Sequence, residues 1–373
     1  MKEPLEHINV FHGILLFITS VGLINHVTII PSLAESAGKD SWISVILTLG
    51  VTLFWIILIY MICKKTEQRN LYLWLQEHIG SLFAKIFSLL LIIFLCVLIA
   101  ATLYDLVIWT KISYLTTTPK LVIVTTYIFL CFCLALTNIR TIAMVNILLL
   151  PWIILFGLFV MTANMPNKDY SLLTPILDKG FEPVFQGMIY SGAGQVEILL
   201  ILLFQHRIKT RIKYWHLAVT SIFLAGLSIG PLTGGIAAFG LEEMMKMRFP
   251  AYQQWTLVTL GRYIEHLDFF SIYQWLSGAF IRISLGLFLI VDYLNLPKGK
   301  KRMLPLGILS LLFIGLLHVP ITDMQFVNFL HRYYLPGSLL FFFFISLLLF
   351  IAIFLKKGGS SHYEQVSENK PIT

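Results

Sequence analysis

Long apolar runs dominate the sequence, and short polar stretches separate them. A helix that crosses a bilayer needs about 20 mostly apolar residues. The ten runs that approach this length are 8–34, 41–63, 86–113, 120–138, 141–164, 187–205, 214–240, 271–295, 303–320 and 334–355. The pattern therefore predicts an all-α integral membrane protein with ten transmembrane helices.

The composition agrees with this prediction. The chain has 373 residues, of which 58% are hydrophobic and only 12% are charged, and soluble domains do not show such a profile. We expect a single transmembrane domain over 1–355 and a disordered cytoplasmic tail over 356–373. Glu3 and Glu6 precede the first run, and no small-residue cleavage pattern follows it, so the first span is predicted to be retained.

The basic residues predict the orientation of the spans. Lys and Arg accumulate on the cytoplasmic side of membrane proteins. With the N-terminus inside, seventeen of the 27 basic residues fall on the inner side and nine on the outer side. Both termini are therefore predicted to be cytoplasmic. The net charge of +8 is interpreted as a topology signal, because no soluble basic face for nucleic acid is visible.

The sequence contains no motif of an enzyme or a cofactor site. The stretch "GAGQVE" resembles a dinucleotide-binding loop only superficially, because that loop requires a preceding strand and here both flanks are apolar helices. The four cysteines lie inside apolar runs, and the ten histidines show no metal-ligand spacing. No disulfide, metal or cofactor is predicted.

Polar and small residues interrupt two of the spans at membrane depth. Span one contains "FITSVGLINHVTIIP", and span six contains "GMIYSGAGQVEILLILLF". These spans begin the two halves of the chain, 8–164 and 187–355, and a five-plus-five inverted repeat would make them symmetry mates at the midplane. The candidate ligand-binding residues in the two spans are Thr19, Ser20, Gly22, Ser191, Gly192, Gly194 and Glu197.

Two interpretations of these spans remain open. Interrupted helices free backbone groups, which is tolerated at membrane depth only where those groups line a cavity or bind something. The N-terminus of a half-helix also attracts a carboxylate. In the alternative interpretation, the small residues simply allow close helix packing.

Ionisable residues within the spans extend the candidate site. Glu197 and Arg282 both lie about ten residues from the outer ends of their spans, or about 15 Å deep at helical rise. Arg282 could pair with Glu197 or with Asp105, or it could stay unpaired until a ligand carboxylate arrives. Tyr104, beside Asp105, is a further candidate ligand residue. Asp292 lies close to the lysines of the next loop and is interpreted as an interfacial charge without function.

At these residues the chain resembles the B subunits of spore germinant receptors, the GerAB type. The resemblance rests on "IIPSLAESAGKDSWISVIL" (29–47), "TTTP" (116–119), "IEHLDFFSIYQW" (264–275) and the small-residue pattern before Glu197. It covers essentially the whole chain. The sequence departs from the family pattern in span one, where Gly22 stands alone, and in span six, where no proline follows Glu197.

The resemblance implies a LeuT-like fold of the amino acid/polyamine/organocation superfamily, with helices one and six broken. It implies a nutrient sensor in the inner membrane of a bacterial spore, which works beside an A subunit and a lipoprotein C subunit. Its ligand would be an amino acid or a similar small nutrient, bound between spans one, three, six and eight. The alternatives are an amino-acid permease of the same superfamily and, if spans one and six prove unbroken, a scaffold without a ligand.

Overall fold

In a lipid environment the backbone must satisfy its own hydrogen bonds, and this chain does so with helices. The computed structural model describes residues 7–259, 266–296 and 299–355. The helices of the first half are α1 (Val10–Leu23), α2 (Ile29–Ala37), α3 (Ser41–Lys65), α4 (Leu71–His78), α5 (Ser81–Ser113), α6 (Lys120–Ala135) and α7 (Ile139–Ala163). Those of the second half are α8 (Glu182–Val196), α9 (Ile201–Phe204), α10 (Tyr214–Phe239), α11 (Leu241–Lys246), α12 (Pro250–Thr256), α13 (Phe270–Tyr293), α14 (Lys300–Leu316), α15 (Asp323–Phe329) and α16 (Leu335–Phe354). Within these ranges there is no β-strand, only an isolated bridge between Ile8 and Ile208.

Among the residues that the structure describes, seven helical segments are long and apolar enough to cross a membrane. One of them, Val10–Lys65, is 56 residues long and contains the first two predicted spans. It turns at Gly38, whose φ of 59° favours glycine. Each predicted span coincides with a helix, although the tenth begins at Asp323 and not at residue 334. The all-helical membrane class is confirmed, and the count of ten spans stays a prediction.

Two segments lie in the interior of the bundle. Helix α13 packs against α1, α5, α6 and α7, and α8 packs against α2, α3 and α16. In each of the segments Glu182–Arg207 and Phe270–Tyr293, 83% of the residues in the most apolar stretch are buried inside the protein. The corresponding share for α7 is 22%. Charged residues on α13 or at the end of α8 are therefore shielded from lipid and must find partners within the protein.

Candidate functional site

A buried ion pair joins Glu197 and Arg282 at the centre of the bundle. The Glu197 side chain is fully buried and that of Arg282 is 2% exposed. Two parallel hydrogen bonds of 2.7 Å connect Nη1 to Oε2 and Nη2 to Oε1. This geometry uses the planar fork that makes Arg a strong partner for carboxylates. Of the three alternatives for Arg282, the structure thus shows the pair with Glu197.

The remaining donors of Arg282 bind two further helices. Nη1 also donates to the backbone carbonyl of Ser20 at 2.8 Å, and Nε donates to the hydroxyl of Thr102 at 3.1 Å. Ser20 therefore joins this centre through its backbone and not through its hydroxyl. Because the guanidinium is occupied by Glu197, the alternative in which Arg282 stands unpaired is wrong.

Changes of helix type lie next to the ion pair. The first spanning segment passes through a π-helical turn at Ile24–Thr28, and Glu197 begins a 3-10 turn at Glu197–Leu200. Such π turns are rare and are often found at functional sites. The interruptions expected in spans one and six are thus present as irregular helical turns. The alternative of a scaffold without a ligand required unbroken helices in spans one and six. Both spans contain such a turn, so this condition is not met.

Asn25 and Gly194 form the crossing point of the two irregular segments. The Asn25 amide donates to the carbonyls of Gly194 and Val21, both at 2.9 Å. A Cβ atom at position 194 would overlap the Asn25 amide. Gly194 therefore allows the two backbones to approach closely, as small residues do in membrane helix pairs.

The other predicted glycines also face neighbouring helices. A Cβ at Gly192 would lie 3.1 Å from the end of Leu339, and one at Gly22 would lie 2.9 Å from the end of Leu227. Both contacts favour the close-packing interpretation for these positions. A ligand contact at the three glycines stays a prediction.

Three further predicted residues lie apart from the ion pair or have other partners. The hydroxyl of Tyr104 donates to the carbonyl of Ile321 at 2.8 Å, and its ring centroid lies 4.2 Å from that of Phe326. Thr19 donates to a carbonyl of its own helix at 3.1 Å. Ser191 is buried on α8. Of the predicted set, the structure joins Ser20, Glu197 and Arg282 directly.

A small cavity of about 20 Å³ lies beside Arg282, and we call it the central cavity. This volume holds about one water molecule. Its wall comes from the π turn, α5, α13 and the segment before α16, and its principal side chains are Thr28, Thr102, Asp105, Trp275, Arg282 and Tyr334. The central cavity therefore combines charged, hydroxyl and aromatic groups at the place where the π turns Ile24–Thr28 and Leu330–Tyr334 meet α5 and α13.

Arg248 pairs with Asp105, which lines this cavity. Its Nη2 donates to Asp105 at 2.5 Å, and its Nε donates to Asp323 at 3.2 Å. The guanidinium carbon lies 4.4 Å from the ring centroid of Phe249. Sequence reasoning missed Arg248, although an acid at membrane depth signals that a cation must be close.

Asp292 is a buried ionic centre at the opposite end of α13. Its carboxylate is fully buried and accepts hydrogen bonds from Arg207 at 2.6 Å and from Arg302 at 2.6 Å. His206 Nε2 lies 3.1 Å from the same carboxylate. The interpretation of Asp292 as an interfacial charge is wrong, because the loop before α10 and the start of α14 bring their basic groups to it.

These features define a multi-pass helical membrane protein with charged pairs at its centre and towards both ends of its core. The chain also matches the family model of spore germination proteins over residues 5–323. It belongs to that family, which is a germination family and not an enzyme family.

The chain is also similar to individual spore germination proteins. The chain is 40% identical over 333 residues to "Spore germination protein XB" of Bacillus anthracis, a match that covers 89% of this chain and 94% of the relative. It is 25% identical over 305 residues to "Putative spore germination protein YfkT" of Bacillus subtilis, covering 80% and 82%. With "Spore germination protein KB" of the same organism it shares 22% identity over 265 residues, covering 68% and 70%. The resemblance to germination proteins is confirmed along the helical bundle as a whole.

Proposed function

We propose that the chain has ten spans in a LeuT-like, five-plus-five inverted repeat, with repeats at 8–164 and 187–355 inside one domain over 1–355. Equivalent helices of the two proposed repeats make equivalent contacts, as such a repeat requires. Helix α3 packs against α8, and its counterpart α10 packs against α1. Helix α7 packs against α1, and its counterpart α16 packs against α8. The turn at Gly38 divides Val10–Lys65 into two spans. Helices α6 and α14, of 16 and 17 residues, complete the ten.

We further propose that the protein is the nutrient-sensing subunit of a germinant receptor in the spore inner membrane, working with A and C subunits. The observation that carries this proposal is the central cavity, a polar space enclosed by the π turn, α5 and α13 in a member of a germination family. Buried ionisable groups at membrane depth are functional sites by default.

The charges at the central cavity suit an amino acid. Asp105 and Arg248 form a pair of opposite charges at its outer end. A zwitterion carries the same two charges, so its ammonium can replace Arg248 on Asp105 while its carboxylate binds Arg248. Arg282 then serves as a fixed support, because Glu197 already occupies its fork.

This mode of binding couples the nutrient to movement. The central cavity holds about one water, so it must widen to take a nutrient, and a nutrient ammonium that binds Asp105 takes the place of Arg248 there. Arg248 also holds Asp323 at the start of α15. Displacement of Arg248 therefore moves the connections on that side of the bundle, which offers a signal to partner subunits.

Replacing Asp105 tests the proposed site. We expect Asp105→Asn to raise the half-maximal nutrient concentration for germination by at least about tenfold, since a hydrogen bond between charged groups contributes about 1.5–3 kcal/mol. The fall in optical density of spore suspensions over a nutrient panel measures the response, and an immunoblot of spore membranes measures protein level. The comparison variant Glu243→Gln removes a carboxylate that pairs with the exposed Lys246 and leaves both acidic partners of Arg248 in place, so it should retain the response. An unchanged response in Asp105→Asn at normal protein level would exclude the central cavity as the nutrient site.

The second candidate is an amino-acid permease of the same superfamily. A small cavity beside the Asp105–Arg248 pair, in a bundle whose other end is held by Asp292, also suits the occluded state of alternating access. Uptake of a labelled nutrient into vesicles that contain the purified protein separates the two functions. Accumulation against a gradient supports the permease, and binding without uptake supports the sensor.

A further inference from the structure

A second, larger cavity opens on the side of the bundle. This lateral cavity has a volume of about 310 Å³ and lies between α1, α7, α10, α12 and α13. Three residues of its wall, Ile154, Leu158 and Phe223, are 40%, 53% and 40% exposed on α7 and α10. Both helices belong to membrane-spanning segments, so these apolar side chains face lipid. The mouth of the lateral cavity therefore lies between α7 and α10 and opens into the bilayer.

The wall of the lateral cavity has little free hydrogen-bonding capacity. Thr19 donates to a carbonyl of its own helix at 3.1 Å, and His26 Nδ1 lies 3.1 Å from a carbonyl of α10. Gln254 and Gln274 donate at 3.0 and 2.9 Å to carbonyls of α10 and α7. Because these polar groups are engaged with the protein, the cavity offers mainly hydrocarbon surface to an occupant. That surface suits an acyl chain better than a zwitterion.

One basic residue stands at the rim of this cavity. Lys168 follows the 3-10 turn Met165–Asn167, and its ammonium lies beside Gly234 of α10. Among the groups that the structure describes, this ammonium donates one hydrogen bond, of 3.4 Å, to the carbonyl of Met161. Burial lowers the pKa of Lys168 below its ordinary value, and no acidic side chain in the described ranges counteracts this. An anionic group from outside the chain would stabilise the charged form of Lys168 and so raise its pKa again. At this position, between membrane-spanning helices and the connection that follows α7, a phospholipid phosphate is such a group.

We propose that the lateral cavity binds one acyl chain of an anionic phospholipid from the bilayer, and that Lys168 binds its phosphate. The site goes beyond the proposed nutrient site and does not depend on it. The two are nevertheless neighbours, because Leu23, Val27 and Trp275 line both cavities. A bound acyl chain thus supports the wall of the central cavity and gives the surrounding lipid a means to affect it.

Photocrosslinking locates the acyl chain. The full-length protein is placed in nanodiscs of phosphatidylcholine that contain a phosphatidylglycerol with a photoreactive group at the end of its acyl chain. After irradiation, mass spectrometry identifies the labelled peptides. We expect the label to concentrate on the peptides of α7 and α10 that contain Gly157 and Gly226, above the level on other lipid-facing helices.

Filling the cavity should remove that label. A Cβ at Gly226 or at Gly230 meets no atom within 4 Å, so Gly226→Phe and Gly230→Phe place a ring in the cavity without a clash at the backbone. In both variants the label at α7 and α10 should fall to the level of the other helices. Gly50→Phe is the matched control, because a Cβ there also meets no atom within 4 Å but the position lies on α3, outside the cavity. Its labelling should equal that of the unmodified protein.

Replacing Lys168 tests the headgroup. Lys168→Gln should reduce the preference for phosphatidylglycerol over phosphatidylcholine about fivefold, the effect expected of one basic residue at an anionic surface. Lys179→Gln, on an exposed part of the same connection, should leave the preference unchanged. An unaltered preference in Lys168→Gln overturns the phosphate contact.

Three other results would overturn the acyl-chain site. They are a label spread evenly over the lipid-facing helices, a label that persists in both phenylalanine variants, and protection of the cavity by a soluble nutrient. The last result would make the lateral cavity a nutrient site. Nutrient is added only in the protection assay and is absent when the variants are compared, so a failure of the acyl-chain site leaves the test at Asp105 unaffected.

Discussion

At the scale of single residues, a buried guanidinium is tolerated only while its donors are occupied. Arg282 meets this condition with Glu197, the carbonyl of Ser20 and the hydroxyl of Thr102. These partners come from three helices, so one side chain fixes the relative positions of α1, α5 and the end of α8. Its first role is therefore structural, and any contact with a nutrient is an addition to that role.

Removing one member of the Glu197–Arg282 pair should destabilise the protein more than removing both. A single change leaves an uncompensated buried charge, commonly at a cost of about 3–5 kcal/mol, whereas a double change can be nearly neutral. We expect Arg282→Met and Glu197→Gln each to lower the protein level in membranes, and the double variant to restore it. Immunoblots measure the level, and the nutrient response is recorded in parallel. If the double variant loses as much protein as the two single variants lose together, the two residues act independently.

Two glycines on α8 should differ in their tolerance of alanine. A Cβ at Gly194 overlaps the Asn25 amide, whereas one at Gly192 meets only the flexible end of Leu339 at 3.1 Å. We expect Gly194→Ala to lower the melting temperature of the purified protein and Gly192→Ala to change it little. The double change of Gly194 and Asn25 to Ala should recover part of the loss, because it removes the overlap. Equal melting temperatures for the two single variants would contradict the close approach at Gly194.

At the scale of elements, connections between the helices help to hold the end of the bundle where Asp292 lies. The Gln68 side chain, in the loop after α3, accepts a hydrogen bond from the backbone of Ile212 at 2.7 Å and donates to the carbonyl of Ile208 at 3.3 Å. Ile8, before α1, exchanges backbone hydrogen bonds of 2.9 Å with Arg207 and Lys209. Arg207 in turn binds Asp292 at the end of α13. The start of the first span and the connection before α10 are thereby coupled.

Neutralising Asp292 should weaken this assembly. Asp292→Asn leaves Arg207 and Arg302 beside a neutral amide, and we expect a clear loss of melting temperature, because buried pairs lose about 3–5 kcal/mol when one partner is removed. Glu243→Gln is the control, since its pair with Lys246 is 62–69% exposed and such pairs contribute at most about 1 kcal/mol. If the two variants melt at the same temperature, the ionic centre at Asp292 does not stabilise the fold.

At the scale of the whole molecule, the charge asymmetry predicts cytoplasmic termini. In a background without the four native cysteines, a single cysteine at the exposed positions 178 or 246 should react with a membrane-impermeant maleimide added from outside. A cysteine at the exposed positions 209 or 301 should react only after the membrane is opened. The reverse pattern would invert the proposed topology and place Arg248 on the cytoplasmic side.

The sequence by itself determined the class of the protein and the depth of its central charges. The thickness of a bilayer sets the length of an apolar helix, so the spans could be recognised without any tertiary contact. The cost of a charge in lipid requires a partner at similar depth, and this condition made Glu197 one of the candidate partners of Arg282.

Only the tertiary structure decided which faces of the helices meet. Asp105 and Arg248 are 143 positions apart, and Asp292 and Arg207 are 85 apart, so no local spacing relates them. Glycines also look alike in a sequence, whether they border a cavity or a neighbouring helix. The contact of Gly194 with Asn25 depends on how two helices cross, and that crossing results from the packing of the whole bundle.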